Sequence, residues 1–157
     1  AAEGVAARGE ELARKMAAGL QPHPPPTQRP RILVEWWPKP VIAPGRRSWA
    51  HDLIERAGGC NPLGDRDVES EPIDEAAIDA LAPDAVVMSW CGVPTRNYRK
   101  DIVRRRPAWA ETPALRTDQI HAVPEAFLGR PGPRLVEGLA ALREVVESVN
   151  RIRSCDD

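Results

Sequence analysis

Cys91 and His121 are the residues of this sequence best suited to covalent chemistry. Cys91 follows the apolar run Ala85-Val-Val-Met-Ser89, and His121 belongs to the next short run, Ile120-His-Ala-Val123. A thiol at a strand end with an imidazole nearby is the outline of a nucleophile and its base. No third group that would orient the imidazole is visible in the sequence. A small apolar role for Cys91 at the end of a strand is the simpler alternative. Other chemistries find less support. The histidines His23, His51 and His121 are scattered, without HExxH or HxH spacing. The cysteines Cys60, Cys91 and Cys155 form no CxxC, and their odd number does not suit a fully paired disulfide framework. No metal centre and no resident cofactor are expected. The loop after the first apolar run reads Trp37-Pro-Lys-Pro40, where a dinucleotide site would place GxGxxG, and GxxxxGK[ST] does not occur. Arg104-Arg105-Arg106 has no interleaved aromatics and reads as a solvated helix end.

The aromatic residues are more informative. Five tryptophans accompany a single Tyr and a single Phe. Trp36 and Trp37 end the apolar run Arg31-Ile-Leu-Val-Glu-Trp36, Trp90 ends the second run, and Phe127 follows the third. In open parallel sheets ligands bind outside the carboxyl ends of the strands. Large aromatics delivered to that edge suggest a flat, apolar-tolerant surface. The competing possibility is that these rings plug the top of the core. Trp49 and Trp109 are expected to serve packing. Nothing at this edge supplies a proton-transfer pair, so binding is favoured over catalysis.

The elements that position these residues follow from periodicity. Val5, Leu12, Met16 and Leu20 predict a helix over Ala2–Leu20. Gln21-Pro-His-Pro-Pro-Pro26 must run extended, as a hinge or linker. The runs at 31–36, 85–89 and 120–123 predict strands, the first at Ile32–Val34 and the second apolar on both faces as in a parallel sheet covered by helices. Trp37 to Gly45 reads as a proline-rich loop. Ser48 predicts the N-cap of a helix over Trp49–Ala57, closed by Gly58-Gly59. Cys60–Leu63 suggests a brief strand, and Ser70 with Pro72 suggests a helix start running to about Leu81. A short helix fits inside Tyr98–Arg105, and a last one fits from Pro133 to about Ser148. The alternation predicts an α/β, three-layer Rossmann-like unit around a small, mostly parallel sheet.

Composition agrees with one such unit. The chain has 157 residues, of which 42% are hydrophobic, enough for one core. Twenty-two basic residues balance 23 acidic ones, a formal charge of -1, which argues against nucleic-acid binding. No apolar run reaches the roughly 18–20 residues that span a bilayer. The chain opens Ala-Ala-Glu, which reads as a processed or partial chain.

Several segments together resemble a known family. They are Val34-Glu-Trp-Trp-Pro-Lys-Pro40, then Ser48-Trp49, then Asp52-Leu-Ile-Glu-Arg-Ala-Gly-Gly59. Leu81-Ala-Pro-Asp-Ala-Val-Val-Met-Ser-Trp-Cys-Gly92, Pro107-Ala-Trp109, Pro113-Ala-Leu-Arg116, Gln119-Ile-His-Ala-Val-Pro124 and Arg130-Pro-Gly-Pro-Arg134 continue the pattern. Over about residues 1–150 the chain resembles the C-terminal lobe of the helical-backbone solute-binding proteins of ABC importers, the vitamin B12, haem and iron-siderophore receptors. The Glu-Trp-Trp-Pro and Ser-Trp-Cys-Gly elements look most like the cobalamin-binding branch. The resemblance implies two lobes joined by a rigid helix, with the ligand held between them. Residues 1–22 then correspond to the end of the connecting helix, 23–30 to a proline-rich linker, 31–150 to the substrate-binding lobe and 151–157 to a tail.

Further expectations follow from the same resemblance. The ligand is a corrinoid or similar metal chelate, with haem or a ferric siderophore as the alternative; Tyr98 or His121 is then the nearby axial option. Ligand-facing residues are Trp36, Trp37, Pro38, Trp90, Cys91, Phe127 and Arg130, with Arg96 a further possible donor to the ligand's rim. The membrane permease is a partner, met through Glu125 or Glu137, with Glu35 a third candidate. Location is periplasmic or extracellular, membrane-associated by docking or a lipid anchor. Self-association through the exposed N-terminal helix is a further implied contact. Two readings from other classes remain open: a small Rossmann-like enzyme using Cys91, and an interaction domain whose aromatic edge binds a protein.

Overall fold

The computed structural model describes the backbone of residues 2–156 and the side chains of residues 4–154. Its elements, in chain order, begin with α1 (Ala2–Gly19), β1 (Ile32–Glu35), β2 (Trp37–Pro38) and β3 (Val41–Pro44). Next come α2 (Trp49–Arg56), β4 (Ser70–Pro72), α3 (Ile78–Leu81), β5 (Ala85–Met88) and α4 (Lys100–Arg104). The chain closes with α5 (Pro113–Arg116), β6 (Ile120–Ala122), α6 (Glu125–Leu128) and α7 (Leu135–Asp156).

A parallel sheet in the order β1-β5-β6 forms the middle layer, with Ile32 opposite Ala85 and Val86 opposite Ile120. Successive strand residues point to opposite faces. Ile32, Val34, Ala85 and Val87 therefore pack under α2 and α7. Leu33, Val86 and Met88 pack on the other side with Ile78, Val103, Trp109 and Ala114. Two cores on one sheet explain why Ile32–Val34 and Ala85–Met88 are apolar on both faces, and the three-layer α/β expectation holds.

The segment after β1 departs from the expected loop. β2, β3 and β4 pair antiparallel as a second sheet, with Trp37 opposite Ile42 and Ala43 opposite Glu71. Prolines at 38, 44 and 72 are tolerated because each sits in a strand of only two to four residues. Ser70 is thus in a strand and caps no helix. The Ile73 amide donates to Val41 O at 2.8 Å, which keeps the chain extended through Pro72. The cap is Asp74, whose carboxylate accepts from the Ala76 amide at 3.0 Å and opens the turn leading into α3. The strand expected at Cys60–Leu63 reduces to one bridge between Arg31 and Cys60.

The proline-rich segment is a strap laid on the lobe. The His23 amide donates to Arg56 O at 2.8 Å and Arg56 donates to Leu20 O at 2.9 Å. Arg143 of α7 reaches Gln21 O. Gly58, at φ +88°, lets Pro24–Pro26 approach; a Cβ there would meet Pro26 Cδ at 3.1 Å. α7 runs beyond Ser148 because Arg153 pairs with Asp84 at 2.7 Å. Residues 151–156 are therefore helix continuous with the lobe; Asp157 and the Cys155 side chain lie outside the described residues.

Candidate functional site

The carboxyl ends of the parallel strands deliver Trp36-Trp37, Trp90-Cys91 and Pro124-Glu125 to one edge of the sheet. Alternation then sends neighbouring side chains to different places. Trp36, 9% exposed, leans onto the α2–α7 core. Trp37, one residue on, is 41% exposed, and its indole N–H donates to Lys39 O at 3.2 Å. Trp37, Trp36, Ile42, Trp49, Ser70 and Cys91 line one hollow of about 380 Å³. A β-strand pair, the start of α2 and the loop after β5 thus converge on an aromatic-walled recess.

Trp90 requires a correction. Its ring is 3% exposed and packs in the opposite core, 5.2 Å from Tyr98 between ring centroids. Its N–H donates to Glu35 Oε1 at 2.8 Å. An indole so enclosed, with its one donor satisfied, presents nothing to a ligand at the edge. Pro38, Phe127 and Arg130 are not among the walls of the hollow. Pro38 is half-buried and its carbonyl accepts from Arg106 at 3.1 Å. Phe127 is half-buried against the α7 core, and one face is covered by Arg134, 4.5 Å from the ring centroid. Arg130 and Arg96 are exposed.

Two further corrections concern charge. Glu35 is fully buried and cannot meet a partner protein. Arg106, read from sequence as part of a solvated run, is its buried partner, with Nη1–Oε2 at 2.7 Å and Nη2–Oε1 at 2.9 Å. Arg106 also stacks on Trp109, 4.6 Å from the ring centroid. The only hint in the sequence was a carboxylate inside an otherwise apolar run, which demands a buried counter-charge. This network ties β1, the end of β2, the loop after β5 and Arg106 after α4 together. Glu125 is half-buried, and its carboxylate accepts the Gly92 amide at 3.1 Å. Glu137 is exposed on the first turn of α7, 3.5 Å from Arg134.

The nucleophile outline does not assemble. His121 Nε2 pairs with Gln119 Oε1 at 3.0 Å, and burial, then Lys100, pushes its pKa down. Burial, then the Glu125 carboxylate, pushes the exposed Cys91 thiol up, away from the thiolate form. Among the described residues no cluster of three His, Cys, Asp or Glu could hold a metal ion. Trp49 was missed as a site residue: sequence alone gave it a packing role, and only the tertiary structure sets it beside Trp37.

Residues 6–126 match the periplasmic binding protein family. The chain belongs to that family. It is 26% identical over 116 residues to the uncharacterized ABC transporter substrate-binding lipoprotein YvrC of Bacillus subtilis (strain 168), covering 73% of this chain and 35% of that protein. It superposes on the periplasmic haem-binding protein RhuT from Roseiflexus sp. RS-1 with a TM-score of 0.73 at 25% identity, covering 92% of this chain and 59% of RhuT. The periplasmic vitamin B12 binding protein BtuF of Vibrio cholerae shares the fold, with a TM-score of 0.62 at 20% identity over 95% of this chain and 53% of BtuF. The chain therefore spans between about a third and three-fifths of the length of these relatives. The family is solute-binding and non-enzymatic and works outside the cytoplasmic membrane. Among the described residues no helix is long and apolar enough to cross a membrane.

Proposed function

We propose that the chain is the C-terminal lobe of the solute-binding component of an ABC importer, and that it helps enclose a corrinoid or similar metal chelate for delivery to a membrane permease. The recess walled by Trp36, Trp37 and Cys91 at the carboxyl edge of the parallel sheet carries this reading. Indole faces suit a broad, largely apolar macrocycle, and little polar area need be desolvated. Pro38, Phe127 and Arg130 serve as the surrounding rim, with Arg130 available to amide carbonyls or carboxylates of the ligand. Haem is the second reading, favoured by the likeness to RhuT. Haem usually takes an axial His or Tyr. Neither His121 nor Tyr98 lines the recess, and the Tyr98 hydroxyl donates to Trp90 O at 3.2 Å. The aromatic walls of the recess, with no imidazole or phenol among them, are the feature that puts the corrinoid first.

Glu137 is the better-presented permease contact, since the Glu125 carboxylate is engaged by Gly92. Val5 and Leu12 stay exposed on α1 and fit burial against a preceding lobe, which would leave the isolated lobe prone to self-association. A lipid anchor on the full-length protein fits the match to a lipoprotein.

Titrating the full-length protein with cyanocobalamin and, separately, haemin, by equilibrium dialysis with tryptophan emission followed in parallel, tests the reading. Cyanocobalamin is expected to bind and quench, and Trp37→Ala to weaken it about tenfold, the equivalent of one buried aromatic contact. Binding of haemin alone transfers the assignment to haem. Binding of neither removes both the corrinoid and the haem assignment and leaves the ferric siderophore.

A further inference from the structure

Five large apolar residues remain exposed among those described: Val5, Leu12, Trp37, Trp49 and Ile102. Only the two indoles, Trp37 and Trp49, share a cavity. Trp49 opens α2, directly after the Ser48 cap, and is 37% exposed. Its N–H donates to Leu128 O at 2.6 Å, across to the end of α6. The donor is thus satisfied and the ring is held in one orientation by two elements distant in sequence. The same ring stands on the wall of a second hollow of about 380 Å³, lined with Leu20, Leu53 and Leu135. It stands between the two hollows with more than a third of the residue uncovered, although a core position would bury far more of an indole.

We infer that Trp49 is a ligand-contacting, specificity-determining residue: with Trp37 it forms an aromatic corner against which the flat, apolar face of the ligand rests. This rests on the receptor reading above. The bond to Leu128 preorganises the ring, so binding does not have to order a mobile side chain. The corner also limits the size of the ligand, because removing the partition merges two hollows.

The test uses the full-length protein with haemin and cyanocobalamin as probes. For whichever probe binds the wild type, Trp49→Ala is expected to weaken binding about tenfold. Trp49→Phe, which keeps a ring but loses the bond to Leu128 O, should stay within about threefold. A purely structural role would lower the melting temperature of both variants and leave both affinities alike. A 5-fluorotryptophan-labelled wild type needs no alanine variant to fold. Its Trp49 fluorine resonance, assigned with Trp49→Phe, should shift on adding the probe while that of the fully buried Trp109 stays put. A wild type that binds while Trp49→Ala binds equally well, or while the Trp49 resonance does not move, overturns this inference and leaves the receptor reading standing. A wild type that binds neither probe overturns this inference together with the corrinoid and haem assignments.

Discussion

Glu35 shows how a single residue organises this edge. Its carboxylate takes two bonds from Arg106 and one from the Trp90 indole, all in a fully buried setting. Such a pair stabilises little relative to apolar packing, yet breaking one side is expensive because the other charge remains buried. Glu35→Gln is expected to cost about 3 kcal/mol or more in urea unfolding. Glu35→Gln combined with Arg106→Leu should cost less than the sum of the two single changes, since neither charge is then stranded. His121 gives a pH dependence. Burial, then Lys100, pushes its folded pKa down, so the unfolded chain takes up the proton first as pH falls. Stability should therefore be unaffected above the ordinary histidine range and fall as pH drops through it toward the folded value. Urea midpoints at pH 7.5 and pH 5 check this, and His121→Gln should flatten the difference.

Among the elements, those closed by local rules were the most legible. Ser48 was expected to cap α2, and its hydroxyl does accept from the Ala50 amide, at 3.3 Å. Ser48→Ala should lower stability by about 1 kcal/mol in thermal unfolding, and α2 carries Trp49 at its first position. The strands β1 and β5 of the parallel sheet were equally visible, because burial on both faces leaves the apolar runs Ile32–Val34 and Ala85–Met88. The antiparallel β2–β3–β4 sheet was not. Its strands have two to four residues, prolines hide the alternation, and β4 comes from the far side of α2. The register Ile42 opposite Pro72 is a long-range contact with no local trace. Ser70-Glu-Pro72 consequently read as a helix start when the true cap was Asp74, four residues later. Trp37, Ile42 and Ser70 of the recess wall stand on this small sheet, so the recess was hidden with it.

At the scale of the molecule, the proposed receptor makes this chain one half of an enclosure. Two cores flank its sheet, and the proline strap fixes α1 to α2 and α7. The proposed ligand edge carries the exposed Trp37 and Cys91, and the solved relatives have chains nearly twice as long as the part matched here. A ligand held by this surface alone loses the burial a second lobe would add. The 157-residue chain is expected to bind the preferred probe at least about a hundredfold more weakly than the full-length protein, a loss of roughly 3 kcal/mol, as read by equilibrium dialysis. Equal affinities would mean that this lobe holds the entire site.

From sequence alone come the layered α/β plan, the strands of the parallel sheet, the capped helix and the clustering of aromatics at strand ends. All of these rest on periodicity, caps or composition, which are local. The edge to which those aromatics belong was legible as well. Which of them faces outward was decided only by the tertiary structure. Trp90 turned into the core because a buried carboxylate and a distant arginine were there to meet it. Trp49 came to the recess because α6 offered a carbonyl to its indole. Partners so far apart along the chain leave no mark in the spacing of residues, and they determine where each ring points.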